Sequence, residues 1–125
     1  MILDTNALSA LAEGDPAIEP ILRRAMQVGI PVVVLGEYRF GIAQSRNRSS
    51  YERWLHEYLG RFRVLDVTDE TSRHYAEVRL ELKKAGTPIP ANDLWIAALC
   101  RQYRLPILSR DKHFDAVQGL KRMAW

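Results

Sequence analysis

Apolar residues along the chain follow two periods, with polar breaks between the segments. Met1-Ile2-Leu3 is a short apolar run that stops at Asp4, and Thr5-Asn6 behind it are good helix-capping residues. From Asn6 to Glu13, Leu8, Leu11 and Ala12 fall at helical spacing, and Gly14 ends the segment. Asp15-Pro16 opens a second helix, with Ile18, Ile21, Leu22 and Ala25 on one face and Gly29 closing it. Pro31-Val32-Val33-Val34-Leu35 is β-branched and continuously apolar, and predicts a strand covered on both faces that stops at Gly36-Glu37. A helix through Tyr38, Phe40, Ile42 and Ala43 follows. Another restarts at Ser49-Ser50, with Trp54, Leu55, Tyr58 and Leu59 on one side.

Phe62 to Val67 alternates as a third strand. Thr68-Asp69 then caps a long helix bearing Tyr75, Val78, Leu82 and Ala85, closed by Lys83-Lys84 and Gly86. Thr87 to Ala91, with two prolines, reads as a loop, and Asn92 caps a helix from Asp93 to about Tyr103. Pro106-Ile107-Leu108 is a short fourth strand, and Lys121 to Trp125 a last edge strand. Strands alternating with helices predict an α/β fold: a three-layer α/β/α sandwich around a mainly parallel sheet of four or five strands. With 125 residues, 47% of them hydrophobic, the chain is expected to form one domain, 1–125, with a real core.

Composition narrows the chemistry. The single cysteine, Cys100, lies in an apolar helical run, which argues against a disulfide framework and reads as a buried small hydrophobe. No apolar window approaches the ~20 residues needed to span a bilayer, and the first residues lack the pattern of a secretory leader, so a soluble cytoplasmic protein without a membrane partner is expected. A net charge of +3 permits a polyanionic partner without demanding one.

Four acids stand out by position. Ligands of an open parallel sheet bind beyond the carboxyl ends of its strands. Asp4, Glu37 and Asp111 each follow a predicted strand, and Asp93 opens the most apolar helix. Each has an ordinary explanation as a helix cap, a first-turn acid or a turn aspartate. Together at one sheet edge they would repel one another, and a divalent cation is the usual remedy; hard oxygen donors favour Mg²⁺ or Mn²⁺. The three histidines, His56, His74 and His113, fit no metal-binding spacing and read as surface or half-buried helix residues. Basic residues cluster after Glu37 (Arg39, Arg46, Arg48, Arg53) and around the fourth strand (Arg101, Arg104, Arg110, Lys112). Solvated helix faces account for most, and a phosphate track for Arg110 and Lys112, which flank Asp111, with Arg39 beside Glu37.

Four segments carry a family resemblance: Met1-Ile2-Leu3-Asp4-Thr5-Asn6, Leu35-Gly36-Glu37-Tyr38-Arg39-Phe40-Gly41, Ile89-Pro90-Ala91-Asn92-Asp93-Leu94-Trp95-Ile96-Ala97-Ala98, and Leu108-Ser109-Arg110-Asp111-Lys112-His113-Phe114. In that order and spacing, over nearly the whole chain, they resemble PIN-domain nucleases, most closely the VapC-like toxins of prokaryotic toxin–antitoxin pairs. The resemblance implies a homodimeric endoribonuclease dependent on Mg²⁺ or Mn²⁺, a metal-activated water as nucleophile, an RNA substrate and a cognate antitoxin. It implies Asp4, Glu37, Asp93 and Asp111 as the catalytic and metal-binding acids, with Asp115 as a substitute or helper for the fourth. Thr5, Asn6 and Ser109 would support them. Two alternatives stay open. A phosphatase-like α/β domain would want a second acid where Asn6 stands, and a non-catalytic RNA- or protein-binding module would have little use for four acids.

Overall fold

The computed structural model describes residues 1–125. Five short strands, β1 (Ile2–Leu3), β2 (Gly29–Pro31), β3 (Arg63–Leu65), β4 (Ile107–Leu108) and β5 (Arg122–Met123), form one sheet in the order β3-β2-β1-β4-β5. All pairings are parallel. Six helices flank it: α1 (Thr5–Ala12), α2 (Ile18–Arg24), α3 (Val32–Ala43), α4 (Arg48–Tyr58), α5 (Asp69–Ala85) and α6 (Ala91–Tyr103). The sheet grows from β1 through β2 to β3, then the chain returns over α5 and α6 to place β4 on the other side of β1. That reversal puts the topological switch point at the carboxyl ends of β1 and β4, where this architecture opens a crevice.

Strands and inner helix faces meet in one core of 24 buried residues, with Ile2, Leu3, Ile30, Ile107, Leu108 and Phe114 fully enclosed. α5 and α6 pack most extensively, through a Tyr75–Trp95 ring stack at 4.0 Å and a bond from Thr71 Oγ1 to Gln102 at 2.6 Å. Thr68 caps α5 in a box with Thr71, and Gly86, at φ 71°, ends it where a left-handed residue is needed. No helix is long and apolar enough to cross a membrane.

The apolar run Pro31–Leu35 is not a strand. The strand is Gly29–Pro31, and Val32 begins α3. Val34, Leu35, Tyr38 and Ile42 are buried while Val32 is exposed, a helical pattern of burial. Three valines cost a helix only a few tenths of a kcal/mol each, and packing of that face against the core outweighs it. Pro31 ends β2, where its missing N–H breaks no further ladder rung. Gly29 therefore does not close α2, which stops at Arg24; it pairs with Ile2 and Arg63 inside the sheet. A Cβ there would stand 2.8 Å from Leu65 Cδ1, the tip of a buried side chain that would have to shift. Gly29→Ala is expected to destabilise by about 1–3 kcal/mol, measured by urea unfolding; an unchanged midpoint would contradict this packing.

Two helix starts also shift. α1 begins at Thr5 with Asp4 as its cap, and α6 begins at Ala91 behind Pro90, so Asn92 lies within the first turn rather than capping it. The remaining elements lie within a few residues of the sequence-based expectation.

Candidate active site

Asp4 leaves the sheet where β1 ends. Its N–H makes a last rung to Leu108 O at 3.1 Å, and its extended backbone turns into α1. Asp4 Oδ1 accepts from Thr5 N at 2.8 Å, a helix cap, so one carboxylate meets the ordinary reading and leaves its other oxygen for the crevice. That oxygen, Oδ2, accepts from Ser109 Oγ at 2.6 Å and Asn6 Nδ2 at 3.2 Å. Asp4 is buried, and burial pushes its carboxyl above the usual range. The bonds from Ser109 and Thr5 pull it back, while the charges of Glu37 and Asp111 add to the rise.

Glu37 reaches the same crevice from the second turn of α3 rather than from a strand end. Thr5 Oγ1 donates to Glu37 Oε2 at 3.1 Å, and Asn92 Nδ2 donates to Oε1 at 3.1 Å. Both carboxylate oxygens are thus held from opposite sides, by α1 and α6. Asn92 is a residue whose role the sequence reading missed. The pair of prolines ending at Pro90 is the signal that places it inside the helix, beside Asp93.

Asp93 lies in the first turn of α6, where the helix dipole favours a negative charge. Burial nonetheless raises its carboxyl; a hydrogen bond from His113 opposes the rise, and Asp111 and Asp4 reinforce it. Asp111 follows β4 and caps a short 3₁₀ turn, Lys112–Ala116, by accepting from His113 N at 2.9 Å. Ser109 Oγ ties the two halves together: it donates to Asp4 and accepts from Asp111 N at 2.9 Å. Arg110 N donates to Asn6 Oδ1 at 3.1 Å, which fixes the Asn6 amide.

The four acids therefore meet at one edge, linked by Thr5, Asn6, Asn92 and Ser109. His113, two residues beyond Asp111, joins them: its Nδ1 lies 3.0 Å from Asp93 Oδ2 and 3.0 Å from Asp111 Oδ1. Donor atoms of Asp93, Asp111 and His113 all fall within 4.8 Å of one another; Asp4 and Glu37 complete no trio of that size. Carboxyls raised by burial and mutual repulsion, with hydroxyl and amide donors orienting them, are the surroundings a hard divalent cation relieves. The donor set fits such an ion.

Other candidates fall outside the crevice. Asp115 is committed to Arg122, with bonds at 2.8 and 3.0 Å that hold its carboxyl below the usual range, so it is no substitute for Asp111. Cys100 is buried and its thiol pushed up. Lys112 and Arg39 are exposed and make no ion pair, whereas the Arg110 guanidinium lies 4.4 Å from the Trp125 ring and 3.9 Å from Asp15. Arg48 and Arg101 are paired with Glu52 and Glu81.

Ser109 is fully buried, so its loss has a defined consequence. Ser109→Ala removes a donor from Asp4 and an acceptor from the Asp111 N–H. It is expected to weaken divalent-ion binding about 10–100-fold, measured by calorimetry; unchanged affinity would mean the hydroxyl only fills space.

The PIN-domain family model matches residues 1–120. Ribonuclease VapC5 of Mycobacterium tuberculosis is 30% identical over 120 residues, 94% of this chain and 87% of that protein. Among solved structures, VapBC-5 of M. tuberculosis, described as a member of the VapBC family of toxin–antitoxin systems, superposes with TM-score 0.72 at 30% identity, over 98% of this chain and 94% of that one. VapBC-1 of nontypeable Haemophilus influenzae superposes with TM-score 0.86 at 26% identity, over 99% and 96%.

Proposed function

Because this chain belongs to the PIN-domain family, in its VapC-like branch, we propose that it is a divalent-metal-dependent endoribonuclease, the toxin of a toxin–antitoxin pair, with the whole chain forming one nuclease domain. The observation that carries the reading is the convergence of Asp4, Glu37, Asp93 and Asp111 on the β1/β4 switch point, with two of the carboxyls raised by burial and by their neighbours.

Asp4, Glu37, Asp93 and Asp111 would hold Mg²⁺ or Mn²⁺. The ion supplies a water of lowered pKa and neutralises charge on the scissile phosphate. The protein's own part is positional. Thr5 and Asn92 fix both oxygens of Glu37, Ser109 and Asn6 fix Asp4 Oδ2, and the 3₁₀ cap fixes Asp111, so little reorganisation is needed as the phosphorane charge develops. Attack by water needs no covalent enzyme intermediate and leaves a 5′-phosphate and a 3′-hydroxyl. Arg39 and Lys112, exposed and without an ion pair, and Arg110 are the phosphate-binding candidates. An antitoxin segment would suit the apolar groove of about 770 Å³ lined by Leu22, Met26, Val28, Trp54, Tyr58 and Phe62, where Met26 is fully exposed. The same reading extends to a homodimer, as the family resemblance implies.

The test is cleavage of a cellular RNA pool by the purified chain in Mg²⁺ or Mn²⁺, with the new ends sequenced. New 5′-phosphate ends that vanish in EDTA and return with added ion are expected. Cleavage undiminished in EDTA would sink the proposal.

A further inference from the structure

We propose that His113 is a direct metal ligand through Nδ1, alongside Asp93 and Asp111, and that this nitrogen makes the site prefer Mn²⁺ to Mg²⁺. The inference rests on the metal-dependent reading above and adds a residue to it.

The geometry comes first. Adjacent donors in an octahedral shell with bonds of about 2.1 Å stand about 3.0 Å apart. His113 Nδ1 stands 3.0 Å from Asp93 Oδ2 and 3.0 Å from Asp111 Oδ1, so it makes two edges of such a shell. The three donor atoms lie within 4.8 Å of one another. The ring nitrogen hydrogen-bonds Asp93 Oδ2 at 3.0 Å, yet Asp111 Oδ1 lies equally near and one nitrogen does not serve both. A bare lone pair faces negative charge, and a single N–H can point at only one oxygen. One cation among the three satisfies all of them.

The ring is also delivered there by the fold. Phe114, fully buried, anchors the 3₁₀ turn, and Asp111 caps it through His113 N at 2.9 Å, which returns the His113 side chain toward Asp93. The chain separation hides this: His113 and Asp93 are 20 positions apart and belong to different elements. Chemistry then sets the preference. An all-oxygen site suits Mg²⁺, which accepts nitrogen reluctantly, whereas imidazole is an ordinary donor to first-row transition ions.

The experiment measures binding on the intact protein without RNA. Calorimetric titration of wild type with Mn²⁺ and Mg²⁺ is expected to show tighter Mn²⁺ binding. In His113→Ala, Mn²⁺ affinity is expected to fall about tenfold while Mg²⁺ affinity changes less than about threefold. Pulsed electron paramagnetic resonance of bound Mn²⁺ should show nitrogen coupling in wild type and none in the variant, which retains His56 and His74 as internal controls. The His113 side chain is half exposed, so the variant should fold, as circular dichroism would check. Bound Mn²⁺ without nitrogen coupling, coupling that survives His113→Ala, or an equal loss of both ions overturns the assignment of His113 and leaves the metal-dependent reading standing. Wild type that binds neither ion overturns both.

Discussion

Asp4→Asn is expected to leave a folded protein that cleaves RNA at least about a thousandfold more slowly than wild type. The substitution keeps size and shape. Asn Oδ1 can still accept from Thr5 N and cap α1, and the Ser109 hydroxyl can rotate to accept from the new amide, while the bond from Asn6 Nδ2 to Asp4 Oδ2 is lost. What also disappears is a negative charge at the switch point, on a residue proposed to hold the cation. Asp4 joins several parts of the site: Ser109 and Asn6 bond to it directly, and Glu37 is tied to it through the neighbouring Thr5. Removing one member of a unit that works together costs nearly the whole effect, so Glu37→Gln and the double variant should be no slower than a further few-fold. Single-turnover cleavage of an end-labelled RNA, with circular dichroism to confirm folding, makes the measurement. Activity within about tenfold of wild type would place the metal-binding centre elsewhere.

The residues of the candidate site are more legible in the sequence than the way the chain brings them together. Asp4 and Asp111 were legible because short apolar runs end at them, and strand ends are where an open parallel sheet binds ligands. Glu37 was picked for the wrong reason. Val32-Val33-Val34-Leu35 has the composition of a buried strand, yet the tertiary packing of Val34, Leu35, Tyr38 and Ile42 makes it a helix, and Glu37 comes from that helix's second turn. Local propensity over four residues is weak against burial of a whole helix face. Asn92 was misread because a capping residue and a first-turn residue look alike when the helix start is uncertain by two positions. His113 stands two residues from Asp111, but its contact with Asp93 is not legible, since Asp93 lies on another element and no local spacing joins them. The resemblance offers Asp115 as a substitute or helper for Asp111. Only the position of Arg122 on β5 separates them, and that pairing depends on the register of an edge strand.

Asp4→Asn is also expected to be more stable than wild type at neutral pH without metal, by a margin that shrinks on acidification. Burial holds the Asp4 carboxyl above its usual range, and Asp93 is raised likewise. In the unfolded chain an aspartate titrates near about 3.9. Because the folded state binds the Asp4 proton more tightly, Asp4 contributes its full stability below that pH and loses it as pH rises through the higher folded value. Neutral Asn has nothing to lose, so the difference in melting temperature between variant and wild type should be small near pH 4 and widen toward pH 7 (both roughly placed). The comparison must be a difference, because groups such as Asp115, held low by Arg122, push the stability of both proteins in the opposite direction with pH. Divalent ion should reverse the order. At a concentration about a hundredfold above Kd, binding adds about 2.7 kcal/mol to wild type, or roughly 10 °C for a chain of this size, and little to Asp4→Asn. Differential scanning fluorimetry across pH, with and without Mn²⁺, reads all of this. A gap between the two proteins that stays constant with pH would mean that the Asp4 carboxylate sits in the crevice at no electrostatic cost, and a site without that cost has no need of a cation.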